Sequence, residues 1–194
     1  EPGHMNGLYA LKPWYAARLG GVRALLVARE VPPWAITAAG VAFAAAAGAV
    51  LAATAPGPLA ALAVALLLAA RLACANLDGG VARESGRATR FGAVVNELGD
   101  RLAELAVLAG CLVLAPPALV ASAALAATLP SWIALAGAAA GARRAQGGPV
   151  GKTERCVLLV AFALTGWAPW LIVLAAGSAI TALVRLARIG KELA

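Results

Sequence analysis

Histidine, aromatic residues and charge are all scarce in this sequence of 194 residues. Its one histidine is His4, within residues 1–5, which look like an expression-vector remnant ahead of the native start. Without His4 the chain has no imidazole to act as a general base or to bind haem or zinc. The cysteines Cys74, Cys111 and Cys156 form no Cys-x-x-Cys pair, so they are expected to pack as buried thiols and not to bind a metal.

The low charge accompanies a strongly apolar composition. Charged residues are 13% of the chain, apolar residues are 62%, and the mean hydropathy is +0.86. These values are typical of an integral membrane protein and not of a soluble globular domain. Apolar segments long enough to cross a bilayer predict six spans. They lie near residues 33–55, 58–79, 92–114, 117–140, 153–170 and 169–188.

The first 30 residues have a different pattern. Leucines, Trp14 and Tyr15 recur there at helical spacing, with lysine and arginine between them. That spacing predicts an amphipathic helix in the membrane interface, over residues 6–31. The predicted fold is therefore all-α: six transmembrane helices preceded by an N-terminal amphipathic interfacial helix, with residues 32–194 as the transmembrane domain.

The positions of the basic residues predict an orientation. All 16 Lys and Arg residues lie in the N-terminal helix or around 71–101, 143–155 and 185–191, which are alternate ends of a six-span bundle. The positive-inside rule makes that face cytoplasmic. The chain is therefore predicted to cross the cell membrane several times, with both termini in the cytoplasm. The net charge of +7 is then explained by orientation and anionic lipid, and no nucleic-acid partner is predicted.

Two of the nine acidic residues, Asp78 and Asp100, lie at that same face, at the end of the second span and in the third. Carboxylates beside apolar spans are costly to desolvate and commonly mark a functional site. Gly92, Asn96 and Asp100 follow one another at four-residue steps and so share one helix face. Arg83, which follows Asp78 closely, is a residue type suited to binding phosphate oxygens.

This stretch resembles the signature of the CDP-alcohol phosphotransferase (CDP-alcohol phosphatidyltransferase) family, Asp-x-x-Asp-Gly-x-x-Ala-Arg, about eight residues, then Gly-x-x-x-Asp-x-x-x-Asp. The matching residues are Asp78, Gly79, Ala82, Arg83, Gly92 and Asp100. A Pro-x-x-x-Thr element before the first span, from Pro33 to Thr37, adds to the resemblance. It implies a membrane enzyme of phospholipid synthesis that transfers a phosphatidyl group from CDP-diacylglycerol to an alcohol and releases CMP. It also implies a homodimer.

The sequence departs from the signature at two of its four aspartates, where it has Ala75 and Asn96. The family's aspartates hold divalent cations, Mg²⁺ or Mn²⁺, and the fourth is the base that activates the acceptor hydroxyl. The resemblance thus implies a metal site of Asp78, Asn96 and Asp100, with Asp100 also catalytic. Because hard cations prefer several oxygen ligands, one ion is predicted in place of two. Donor binding is implied for Asp78, Gly79, Ala82, Arg83 and Gly92.

A second basic element, residues 141–155, separates the fourth and fifth predicted spans. Arg143, Arg144 and Lys152 are interspersed there with glycines, a pattern that favours an anionic ligand. These three residues are predicted to bind the acceptor alcohol, which would then be anionic; ordinary positive-inside charge is the alternative. Gly151-Lys152-Thr153 does not have the glycine spacing of a phosphate-binding P-loop.

Two other classes of function stay open on the sequence. Ala75 and Asn96 are also consistent with a catalytically silent relative that binds a nucleotide-lipid or a partner protein. A transporter or channel is less consistent, because its charges are expected near the middle of the membrane and not at one face.

Overall fold

The computed structural model describes residues 18–194 and consists there of α-helices, with no strand in that range. The helices are α1 (Gly20–Ala28), α2 (Pro33–Ala53), α3 (Pro58–Glu84), α4 (Arg90–Gly110), α5 (Pro117–Ala139), α6 (Lys152–Thr165) and α7 (Pro169–Leu193). A short 3-10 helix, Cys111–Val113, continues α4. The predicted all-α class is confirmed.

Local sequence explains where these helices begin and end. Four of them, α2, α3, α5 and α7, have proline at their first turn, where its missing N–H costs no hydrogen bond. Thr89 caps α4, because its hydroxyl accepts the N–H of Gly92 at 2.9 Å. Gly166 ends α6 with φ of 65°, a left-handed conformation that glycine adopts without strain.

Four helices, α2, α3, α5 and α7, are long and apolar enough to cross a membrane. This confirms the multi-pass membrane character. Of the other two predicted spans, α4 carries several charges and α6 has only 14 residues, so a count of six spans stays a prediction. Residues 1–17, which include the predicted vector remnant and the first part of the predicted amphipathic helix, lie outside the described residues; α1 falls in the remainder of that predicted helix.

The bundle packs around α2 and α3. Helix α2 contacts α3 and α4, α6 lies between α3 and α7, and α5 packs along α7. The buried core is small and aliphatic, with one aromatic ring; its least exposed members include Ala47, Leu51, Val64, Leu68, Leu108, Phe162, Leu171 and Leu174. Small side chains allow these helices to approach closely, as expected in a membrane.

A close approach of two backbones joins α2 to α4. A Cβ placed on Gly110 would lie 2.1 Å from the carbonyl oxygen of Gly48, and a Cβ on Gly48 would lie 2.4 Å from the carbonyl oxygen of Ala106. The two backbones are therefore in direct contact, and neither glycine can carry a side chain without separating the helices. Because α4 carries Asp100, this contact helps to fix the height of the acidic residue relative to α2.

Gly110→Ala is therefore expected to destabilise the fold. The added methyl group meets backbone and not a flexible side chain, so the cost should be that of overpacking, about 1–3 kcal/mol. Thermal unfolding of the purified protein in detergent measures the loss. Gly190→Ala in α7 is the matched control, since its Cβ meets nothing within 4 Å and alanine favours a helix. Equal unfolding temperatures for the two variants would contradict the backbone contact.

Candidate functional site

A cavity of about 510 Å³ opens at the end of the bundle where the charged residues collect. Its wall is made by the second half of α3, the charged half of α4, the loop 144–151, the start of α6 and single residues of α5 and α7. The charged and amide side chains that line it are Asn76, Asn96, Glu97, Asp100, Arg101, Arg144, Gln146, Lys152, Glu154, Arg155 and Arg185. Because these side chains converge on one cavity from α3, α4, α6, α7 and the loop, this cavity is the candidate active site.

Asp100 and Lys152 meet in the wall of this cavity, although 52 residues separate them. The Lys152 ammonium lies 2.5 Å from Oδ2 of Asp100, and both side chains are largely buried. Arg71 donates to the backbone carbonyl of Asp100 at 3.4 Å, and its charge and that of Arg101 also act on the Asp100 carboxylate. Asp100 is therefore held in place among three cations.

Asp78 is more deeply buried, at 4% exposure. Its Oδ2 accepts the hydroxyl of Thr37 at 3.0 Å, and its Oδ1 accepts the N–H of Gly79 at 2.6 Å. Thr37 belongs to the Pro-x-x-x-Thr element, so that element supports the carboxylate directly. Asp78 lines a second, much smaller cavity, whose other lining residues are Thr37, Gly40, Val41, Arg71, Cys74, Ala75, Asn96, Gly99, Asp100 and Ala103.

The two cavities meet at three residues, Ala75, Asn96 and Asp100, which line both. Two of these are the positions where the sequence lacks the signature's aspartates. The predicted ligands Asp78, Asn96 and Asp100 are thus brought together around the small cavity.

Their contacts do not fit a resident divalent cation. Among residues 18–194 no group of three His, Cys, Asp or Glu side chains is placed to hold a metal ion. Asp100 is already paired with an ammonium group, and both oxygens of Asp78 accept hydrogen bonds from the protein. Mg²⁺ and Mn²⁺ need several oxygen ligands, and a cation at Asp100 would first have to displace Lys152.

The remaining residues predicted to bind the donor lie beyond both cavities. Gly79, Ala82 and Arg83 are in the last turns of α3, and Gly92 is in the first turn of α4. Arg83 is exposed, and its guanidinium passes close to Gly79. Their part in donor binding stays a prediction.

The three residues predicted to bind the acceptor separate in the structure. Arg144 and Lys152 line the large cavity, whereas Arg143 does not. The side chain of Arg143 is 94% exposed and pairs with Glu192 near the end of α7. Arg144 instead pairs with Glu97 inside the cavity wall.

A buried ion-pair network lies beneath the cavity. The Glu104 carboxylate on α4 accepts two hydrogen bonds. One comes from Nε of Arg155 on α6 at 2.5 Å, and the other from a guanidinium nitrogen of Arg101 at 2.8 Å. The side chains of Glu104 and Arg155 are each only 6% exposed. This network joins α4 to α6 and so fixes the separation of Asp100 and Lys152, which lie one turn away on the same two helices.

The loop that closes the cavity is attached to one side of α7. Thr181 binds Val150 through its hydroxyl, Arg185 donates to the carbonyl of Gly147 at 3.0 Å, and Arg188 donates to the carbonyl of Gln146 at 3.0 Å. Further along, Glu192 accepts the N–H of Arg143 at 2.8 Å. The loop 143–150 is thus held against α7 over three turns of that helix.

The sequence pattern does not mark Arg71, Arg101, Arg155 or Arg185 as site residues. The signal is weak for the last three, which fall among basic residues at span ends. For Arg71 it is clearer, because an arginine within the apolar run 58–79 is unusual and such residues commonly serve function.

Comparisons with known proteins agree with this fold. The family model for CDP-alcohol phosphatidyltransferase matches residues 31–185. Among solved structures, phosphatidylinositol phosphate synthase of Mycobacterium tuberculosis with bound CDP-DAG is 25% identical, with a TM-score of 0.68 over 87% of this chain and 92% of that one. The same enzyme with manganese and citrate is 25% identical, with a TM-score of 0.67 over 88% of each chain. No curated protein matches the sequence significantly.

Proposed function

Since the chain belongs to the CDP-alcohol phosphatidyltransferase family and is a transferase of phospholipid synthesis, we propose that it transfers a phosphatidyl group from CDP-diacylglycerol to an anionic alcohol and releases CMP. One observation carries the proposal: Asp100 lies in the wall of a cavity of about 510 Å³ at the charged end of the bundle, among basic side chains. The M. tuberculosis enzyme with bound CDP-DAG supports the choice of donor.

In the proposed reaction the acceptor hydroxyl attacks the phosphorus that bears diacylglycerol. The new P–O bond forms as the bond from that phosphorus to the bridging diphosphate oxygen breaks, and CMP leaves with the electron pair. Asp100 takes the hydroxyl proton on Oδ1, because Oδ2 is bonded to Lys152. Asp78, held by Thr37 and Gly79, positions the donor from the small cavity. Positive charge around the leaving phosphate lowers the barrier to its departure.

The charge of the cavity supports an anionic acceptor. Its lining includes five basic side chains against three carboxylates, Glu97, Asp100 and Glu154. Arg144 and Lys152 are the residues we assign to the acceptor, as the sequence predicts. Arginine binds phosphate or carboxylate oxygens in a bidentate manner, which favours an alcohol that carries such a group. Arg143, which pairs with Glu192 outside the cavity, has at most an indirect role.

We propose that α4 and α6 complete a six-span bundle whose charged end faces the cytoplasm. The basic residues of both helices and of the loop 140–151 lie at one end, whereas the loops near Pro56, Pro116 and Ala168 contain no Lys or Arg. The active site would then be cytoplasmic, in an inner or cytoplasmic membrane. The homodimer that the family resemblance implies stays a prediction.

Single cysteines introduced into a cysteine-free background test this topology. Ala55→Cys, Pro116→Cys and Ala168→Cys should react with an impermeant maleimide from outside the cell. Gly86→Cys and Gly147→Cys should react only after the membrane is opened. Labelling of positions 86 and 147 from opposite sides would contradict the six-span arrangement.

A divalent cation was predicted from the sequence, and manganese accompanies the M. tuberculosis enzyme in one structure. In this chain a cation at Asp100 competes with the Lys152 ammonium 2.5 Å away, so we propose no more than one ion, weakly held. No step of the reaction above depends on it.

Release of CMP by the purified protein tests the function. With CDP-diacylglycerol in mixed micelles and a panel of alcohols, including phosphorylated polyols, CMP should appear only when a suitable acceptor is present. Phosphorylated alcohols should be preferred over their neutral forms. No CMP with any acceptor, while the protein still binds the donor, would favour the catalytically silent relative.

A further inference from the structure

Arg71 is a buried cation with no part in the proposed reaction. It lies within α3 at 4% exposure. Within residues 18–194 it donates only to Sγ of Cys156 at 3.7 Å and to the carbonyl of Asp100 at 3.4 Å, while its Nε has no partner. Burying a guanidinium without a paired carboxylate is costly, and such a residue in a membrane helix is a candidate for function.

Arg71 and Lys152 lie on opposite sides of the wall shared by the two cavities. Arg71 lines the small cavity, Lys152 lines the large one, and Ala75, Asn96 and Asp100 line both. Arg101, the third cation near Asp100, is already paired with Glu97 and Glu104, so the two carboxylates Asp78 and Asp100 face two cations, Arg71 and Lys152. A site of this kind has little net attraction for a dication. The site has two fixed positive charges close to Ala75 and Asn96, the positions where the family signature has aspartates.

We propose that Arg71 and Lys152 together supply the positive charge that the donor's diphosphate requires, so that CDP-diacylglycerol binds without a divalent cation. Lys152, which lies in the wall of the large cavity and is also assigned to the acceptor, contacts the phosphate oxygens of the donor. Arg71 acts from behind the wall, where the low dielectric of the interior strengthens its field. The inference rests on the proposed donor, and it makes Arg71 a positioning residue.

The neutral residues at 75 and 96 fit this arrangement. A carboxylate at either position would face the same wall, repel the diphosphate and attract Lys152 or a metal ion. Alanine and asparagine instead leave room and a polar amide beside the two cations. Alanine and asparagine at the two signature positions therefore fit a site in which Arg71 and Lys152, and not a metal ion, supply the positive charge that faces the diphosphate.

Donor binding in chelator is the direct test. Calorimetric titration of CDP-diacylglycerol into the full-length protein in micelles should give the same Kd in EDTA and in Mg²⁺, within about twofold. In EDTA, Lys152→Gln should weaken binding about 10- to 100-fold, the value of a hydrogen bond to a charged group. Arg71→Gln should weaken it by about the same factor through the loss of its charge in the interior. Lys152→Arg should restore binding, and Lys191→Gln, an exposed lysine outside both cavities, should leave it unchanged.

Binding of Mn²⁺, followed by electron paramagnetic resonance, gives a readout that does not depend on turnover. The parent protein should bind no more Mn²⁺ than Asp100→Asn does, whereas Lys152→Gln, which frees the Asp100 carboxylate, should bind more. If the parent binds the donor only with Mg²⁺ or Mn²⁺, the inference is overturned and the proposed transfer stands. If it binds the donor under neither condition, both are overturned.

Discussion

Asp100→Asn should reduce the rate of CMP release about 10²- to 10⁴-fold, the usual contribution of a positioned general base. The amide keeps the size of the side chain but cannot take the acceptor's proton. Donor binding should survive, because the cations Arg71 and Lys152 remain and Asp78 keeps its bonds to Thr37 and Gly79. The fall should therefore appear in kcat, measured at saturating donor, and not in donor Kd.

Glu192→Gln provides the control for this change. It makes the same carboxylate-to-amide substitution at a residue that lies outside the cavity and pairs with the exposed Arg143. Its turnover should equal that of the parent. An Asp100→Asn variant that transfers at the parent rate would remove Asp100 from the mechanism. One that no longer binds the donor would assign Asp100 to binding and not to proton transfer.

Glu104→Gln should be the most destabilising of the changes considered, at about 3–5 kcal/mol, because it removes one partner of a buried charge pair. Glu104 balances Arg155, which is 6% exposed, and also accepts from Arg101. The glutamine amide offers one acceptor and leaves both guanidinium groups without their shared counter-charge. Thermal or denaturant unfolding in detergent measures the loss.

A double replacement separates the cost of an unpaired charge from the value of the pair. Glu104→Leu with Arg155→Met removes both charges and should recover most of the stability that either single change loses. Glu84→Gln breaks the ion pair with Arg23 at the surface, where both partners are a third or more exposed, and should cost less than about 1 kcal/mol. Equal losses from Glu84→Gln and Glu104→Gln would contradict the role of burial.

The positions of the helices could be predicted from the sequence because local signals mark them. Pro33, Pro58, Pro117 and Pro169 each begin a helix near a predicted span. The predicted span over 153–170 runs past the end of α6 at Thr165, because the left-handed Gly166 ends that helix. Apolar periodicity does not register such a stop when the residues beyond it are also apolar.

The sequence predicts less well which residues meet one another in the site. Asp78 and Asp100 stand out by spacing, but nothing local relates Asp100 to Lys152, 52 residues later, or separates Arg144 from its neighbour Arg143. These relations depend on how α6 and the loop before it dock against α4 and α7. The burial of Arg71 likewise depends on which face of α3 meets α6, and composition alone does not determine that face.

Because the loop 143–150 is attached to α7, the wall assigned to the acceptor is largely separate from the residues that bind the donor and transfer the proton. Apart from Lys152 at the start of α6, the residues assigned to the donor and to proton transfer lie on α3 and α4, whereas the outer wall of the cavity is built by the loop and α7. Substitutions at Arg144, Gln146 or Arg185 can therefore reshape the acceptor's side and leave Asp78 and Asp100 in place. We expect substitutions in this wall to change which alcohol is accepted and to leave the transfer step unchanged.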